Sequence, residues 1–144
     1  MDTTRFGPVE VEAEDIVRFP EGLLGLPECR EWVFLADTWS EAVAWMQSVD
    51  RPEIALAVVN PRRFLASYRV HVSRRELEPL RLPHPAAAEV LAIVSKTDRV
   101  LTLNLRAPLV VNLDRRLGRQ VVANDELPVR HELSALPSPW KKTA

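Results

Sequence analysis

Short apolar runs, each cut off by proline, asparagine or a polar turn, follow one another along almost the whole chain. Such runs are too short for stable helices, and they bury their apolar faces by pairing side by side as strands. Strands are predicted at Pro8–Glu12, where apolar and acidic residues alternate, and at Ile16–Phe19, stopped by Pro20. Further strands are predicted at Glu31–Ala36, Ala42–Ser48, Ile54–Asn60, Tyr68–Val72, Glu89–Ser95, Arg99–Leu105, Pro108–Leu113 and Arg119–Ala123. The continuous apolar run at 54–60 implies a strand covered on both faces. Asp114–Gly118 reads as a hairpin loop whose glycine supplies positive φ. Only two places invite helix: one turn at Pro61–Leu65, and Arg74–Leu80 after Ser73, which stands three residues before Glu76 in capping-box spacing. The expected fold is mostly β, a small antiparallel β-barrel-like domain with one or two short helices, since closure also removes exposed strand edges. One domain over 1–133 is expected, followed by a tail at 134–144 rich in breakers and expected to fray.

The 144 residues carry a net charge of -1, but unevenly. Residues 1–50 hold eleven acids and three arginines, so the remainder must carry +7. Either the fold leaves an acidic face for a basic partner, or it interleaves the two halves and cancels the field. The segment Pro20-Glu21-Gly22-Leu23-Leu24-Gly25-Leu26-Pro27 is a loop by its glycines and prolines, yet it bears three leucines. It serves as a plug over the core, as an apolar contact surface, or as a self-association contact, leaving monomer or weak homodimer open.

Catalytic motifs are missing. Four glycines cannot compose a phosphate-cradling loop, no G-x-S-x-G elbow exists, and His71, His84 and His131 lack metal-ligand spacing. No cofactor or metal site is expected. The single cysteine, Cys29, excludes an internal disulfide; beside Arg30 it is either a buried thiol or, with a base nearby, a nucleophile. No apolar stretch approaches membrane-spanning length and no basic-then-apolar leader opens the chain, so a cytoplasmic protein is expected. The arginine-rich stretch Arg62–Arg81 offers an alternative, direct binding of single-stranded RNA, but Phe64 and Tyr68 are the only aromatics within it.

Four stretches in order resemble the flagellar assembly factor FliW family. Phe19-Pro20-Glu21-Gly22-Leu23-Leu24-Gly25-Leu26 is similar to its early F-P-x-G-L-x-G-F signature, with Leu26 in place of the aromatic. Residues 47–56 (QSVDRPEIAL) resemble its central Q-S-V-D-x-P-x-L-A-F segment, residues 104–112 (NLRAPLVVN) its N-L-x-A-P-I-V-I-N strand, and Gly118–Val122 with Arg130-His131 its closing elements. The resemblance implies a non-enzymatic, cytosolic, β-barrel-like regulator that binds two protein partners, flagellin and the translational regulator CsrA. Capturing CsrA would release the flagellin messenger for translation. For protein contact it directs attention to Glu12, Glu14, Leu23, Leu24, Leu26, Asp50, Glu53 and Asn104; direct nucleic-acid binding is not expected.

Overall fold

The computed structural model describes residues 1–133; the tail expected at 134–144 lies outside the described residues. The strands are β1 (Asp2–Thr3), β2 (Gly7–Pro8), β3 (Val17–Arg18), β4 (Glu31–Ala36), β5 (Val43–Ser48) and β6 (Ala55–Val59). They continue as β7 (Glu89–Thr97), β8 (Val100–Leu103), β9 (Leu109–Asn112), β10 (Leu117–Gln120) and β11 (His131–Glu132), with one short helix, α1 (Arg74–Leu77). Neighbours run β7-β6-β5-β4-β3-β10-β9, and β9 returns to pair with β7, closing a seven-stranded barrel. The pairings are antiparallel except one, the single parallel bridge Leu117↔Arg18 between β10 and β3. The mostly β barrel expected from sequence is the fold.

Closure follows from alternation. Paired residues share a face, so Phe34↔Met46↔Leu56 and Ala44↔Val58↔Ile93 point inward together. With Val17, Phe19, Leu23, Cys29, Trp32, Leu109 and Val111 they fill the barrel. The outward set of β5 and β6 is apolar too: Val43, Ala57 and Val59 are buried beneath Tyr68, Phe64 and Leu65. This is the two-sided burial that the run at 54–60 predicted. β7 is long enough for two duties. Its first half closes the barrel, and Val94–Thr97 turns out to pair with β8, which in turn carries β11. On the far side, α1 and the turn Glu78–Leu80 cover the outer face of β9 and β10, where Leu80, Val110 and Val121 are buried. Ser73 Oγ accepts the Glu76 N–H at 3.4 Å, so the predicted cap starts this helix.

Three local expectations are corrected. Tyr68–Val72 is not a strand: Tyr68 and Val70 pack on the β7–β8 layer and Val72 under α1, so the alternation records burial against a layer already paired within itself. Pro8–Glu12 is a strand only at Pro8, which pairs with Asp2; Val9 to Glu12 run on without a ladder. Gly118 does not turn the β9–β10 hairpin. The positive φ belongs to Arg116 (53°), while Gly118 lies in β10 opposite Val111. A Cβ at Gly118 would stand 2.3 Å from Cζ of Phe19, so glycine is there to seat that ring.

Candidate protein-binding surfaces

The leucine loop divides its residues between the two roles left open. Leu23 and Leu26 exchange main-chain hydrogen bonds (3.1 and 2.9 Å), folding the loop into a tight hairpin at the barrel end. Gly22 permits it: φ is +67°, and a Cβ there would meet the Pro27 carbonyl at 2.5 Å. Leu23 is buried in the barrel core and Leu26 packs half-buried against it, so both act as plug. Leu24 is 63% exposed, and its N–H is held by Gln120 Oε1 at 2.8 Å. Glu21 and Arg119 pair at 2.9 Å beneath the loop.

A second surface lies outside the barrel. Residues 10–15 cross the outer face of β4 and leave a groove of about 410 Å³ between themselves, β4 and the β9–β10 turn. It is lined by Val17, Val33, Phe34 and Leu35, of which Val17 and Val33 are buried and Phe34 packs into the barrel core, with Leu113 at its side, 53% exposed. Glu10, Glu14 and Asp15 line it with one counter-charge, Arg116. The acidic rim is held by a short 3₁₀ turn at Ala13–Asp15: Asp15 Oδ2 accepts the Glu12 N–H at 3.0 Å and Asp15 N–H donates to the Glu12 carbonyl at 3.0 Å. Glu12 thus frames the rim, and Glu14 lines the groove.

The other singled-out polar residues do structural work. Asp50 Oδ2 accepts the N–H groups of Arg30 and Glu31, both at 2.9 Å, and pins the start of β4 to the β5–β6 turn. Glu53 pairs with Arg51 at 2.8 Å, and Arg51 with Glu28 at 3.1 Å. These charges hold the Glu53 carboxyl below, and the Arg51 guanidinium above, their ordinary ranges; for Glu53 its own main-chain N–H contributes most, then Arg51. Asn104 Oδ1 accepts the N–H of Arg106 (3.2 Å) and Ala107 (3.0 Å), shaping the turn into β9. Cys29 is fully buried among the barrel residues, out of reach of any substrate. His71 pairs with Asp125 at 2.7 Å on the surface, and no metal-holding cluster occurs among the described residues. In the arginine stretch, Tyr68 is buried with its hydroxyl donating to the Leu105 carbonyl (2.8 Å), and Phe64 packs against the same core. Neither ring is offered to a nucleobase.

The sequence profile of the family described as FliW protein matches residues 1–133. The chain belongs to the FliW family. It is 39% identical over 127 residues to the flagellar assembly factor FliW of Bdellovibrio bacteriovorus, covering 87% of this chain and 73% of that one. It is 34% identical over 133 residues to the protein of the same name from Ruminiclostridium cellulolyticum, covering 90% of each. A crystal structure of the flagellar assembly factor FliW superposes with a TM-score of 0.84 at 28% identity, over 94% of this chain and 96% of that one. The FliW motifs found in sequence are therefore distributed over the loop plug, the β5–β6 turn, β9 and β10.

Three features of this FliW-family surface escaped sequence reading. Leu113 and Arg116 reach the groove from the β9–β10 turn, far along the chain from Glu10 and Glu14. Trp39, 70% exposed, is held at the tip of the β4–β5 turn, where Asp37 Oδ2 accepts the N–H groups of Trp39 and Ser40. Asp37, a turn former, followed by an aromatic set between Thr38 and Ser40 was the available signal for Trp39; none existed for the groove.

Proposed function

We propose that this chain is a stoichiometric regulator of flagellin synthesis, acting in the cytoplasm without catalysis by binding flagellin and CsrA. Membership of the flagellar assembly factor family over residues 1–133 carries the reading. Plentiful flagellin occupies the protein; once flagellin is exported, the freed protein captures CsrA, which then releases the flagellin messenger. This is partner exchange by mass action, with RNA release coupled to binding elsewhere on CsrA. The surface suits such a role: Leu24 stands exposed on a loop anchored by the buried Leu23, and an acidic apolar groove lies on β4. Cys29 is fully buried, so its thiol is not offered to a substrate. No helix among the described residues is long and apolar enough to cross a membrane.

Calorimetric titration with purified CsrA and, separately, with a flagellin C-terminal peptide tests the proposal. Saturable one-to-one binding to both is expected. Heat from neither would refute it. Direct RNA binding is disfavoured because Tyr68 and Phe64 face the core, and it predicts a steep fall of RNA affinity with salt that this reading does not.

A further inference from the structure

We propose that the gap where β7 parts from β6 takes up an extended strand of a protein partner, apolar toward the barrel and acidic beside Lys96. This rests on the partner-binding reading above and adds to it the surface, the backbone form and the side-chain chemistry of the occupant. β7 lies between β8 and β6, yet its ladder with β6 holds only Val58↔Ile93 and Val59↔Ala92. Both strands run on past that point. β6 stays paired with β5 back to Ala55, and β7 stays paired with β8 out to Thr97. The same register would set Leu56 opposite Ser95 and Ala55 opposite Lys96, but β7 has turned away with β8 and neither pair forms.

Main-chain direction shows what form of occupant fits. The Ile93 carbonyl accepts the Asn104 N–H at 3.1 Å on the β8 side, and the Ile54 carbonyl accepts the Ser48 N–H at 3.0 Å on the β5 side. Main-chain groups alternate along a strand, so those of Lys96 and Ala55 point into the gap, where no strand of the described residues pairs with them. Groups spaced this way are satisfied in series by an added strand, whereas a helix has already spent its own. The side-chain rows say independently which residues that strand carries. Met46 and Val58 are fully buried in the barrel, but Leu56 and Ile93, which end their rows at the gap, keep part of their surface exposed. Ser95, next in the row of Leu56 by register, is exposed. Every second side chain of an added strand falls beside Leu56 and Ile93, and an apolar one completes the row.

Charge narrows the choice further. Lys96 is exposed and makes no ion pair among the described residues. A lysine on a strand edge deters indiscriminate pairing and favours a strand with a carboxylate across from it. The sequence 134–144 does not meet these terms: Pro137 and Pro139 lack N–H donors, and Lys141 and Lys142 carry the same sign as Lys96.

The test titrates the full chain with a labelled peptide of about ten residues alternating valine and glutamate, read by fluorescence anisotropy and by amide hydrogen exchange. Saturable binding is expected, with exchange slowed about tenfold or more at the Ala55 amide, the Lys96 amide or both. Methylating alternate amide nitrogens of the peptide removes donors and leaves its side chains intact. At least one of the two alternate sets should weaken binding about tenfold. Lys96→Glu should weaken it about fivefold at low salt and less as salt rises, while Leu24→Asp, on the leucine loop, should change nothing. Absence of binding, tolerance of both methylated sets, or unchanged exchange at both amides would overturn the proposal. So would protection of these amides without peptide, or protection that grows with the concentration of the chain alone, since the edge would then belong to this chain or to a second copy. Repeating the exchange with CsrA and with the flagellin peptide separates the two proposals. If either partner binds but neither complex protects Ala55 or Lys96, the edge assignment fails and the regulator reading stands. If the chain binds neither partner yet takes the valine-glutamate peptide at this edge, the reverse holds.

Discussion

Replacing Gly118 by alanine places a methyl carbon 2.3 Å from Cζ of Phe19 and 2.6 and 2.7 Å from its two Cε atoms. Carbon atoms rest comfortably at roughly 3.5–4.0 Å, so the ring must retreat by about 1 Å or more. It has nowhere to go. Phe19 is fully buried in the same cluster as Trp32 and Met46, and its N–H is tied to the Arg30 carbonyl at 2.7 Å. Overpacking of this kind costs about 1–3 kcal/mol, against which alanine recovers roughly 0.5 kcal/mol of backbone entropy. With an unfolding entropy of about 2.1 cal/mol/K per residue, a domain of this size loses about 3–4 °C of Tm per kcal/mol, so the net cost implies a fall of about 2–10 °C. Scanning calorimetry and urea unfolding of the wild type, Gly118→Ala, Phe19→Leu and the double variant measure it. A shorter residue at 19 makes room for the new methyl, so the double variant should be less destabilised than the sum by about 1 kcal/mol or more. If Gly118 mattered for positive φ, as its place beside a hairpin suggested, the cost would be the same whatever occupies position 19. A coupling near zero, or Gly118→Ala within about 0.5 kcal/mol of wild type, refutes the packing argument.

Leu23→Ala should cost about 2–4 kcal/mol and Leu24→Ala less than about 0.5 kcal/mol in urea unfolding, because only the first leaves a cavity in the barrel. Asp50→Ala removes the acceptor of two main-chain N–H groups and should lower stability by about 1 kcal/mol; a loss of partner affinity at unchanged stability would show that its structural role is the lesser one. Burial pushes the Tyr68 phenol up to about 12, Asp125 adding to the rise and Arg62 opposing it. The unfolded phenol titrates near 10, so the contribution is complete below about pH 10 and is lost as pH rises from there through 12. Tyr68→Phe should therefore flatten the decline in stability across that window while costing about 1 kcal/mol at neutral pH, where the Leu105 carbonyl loses its donor; an unchanged alkaline decline would refute the assignment.

The strands that pair with chain neighbours were the legible part. Glu31–Ala36, Ala42–Ser48 and Ile54–Asn60 fall within a residue of β4, β5 and β6, because each alternates or fills with apolar residues and ends at a turn former. The cap at Ser73 and the turn at Asn60-Pro61 were legible for the same reason: Asn60 Oδ1 accepts the Arg62 N–H within three residues. Tyr68–Val72 misled because burial alternates along any extended segment laid on a core, with or without a ladder partner. Of the candidate site residues, the loop leucines were recognisable as unusual for a loop, but their division into plug and exposed contact was not.

The sequence by itself determined the class of fold and the family, since period-two burial, breaker spacing and ordered motifs are local properties that survive without coordinates. Only the tertiary structure decided that Gly118 exists for Phe19, that Asp50 and Asn104 serve the main chain, and that Glu10 and Glu14 share a groove with Leu113 and Arg116. The physical reason is closure. Which residues meet depends on β9 returning to β7 and on β3 lying beside β10, pairings between segments remote in the chain whose register no local pattern encodes.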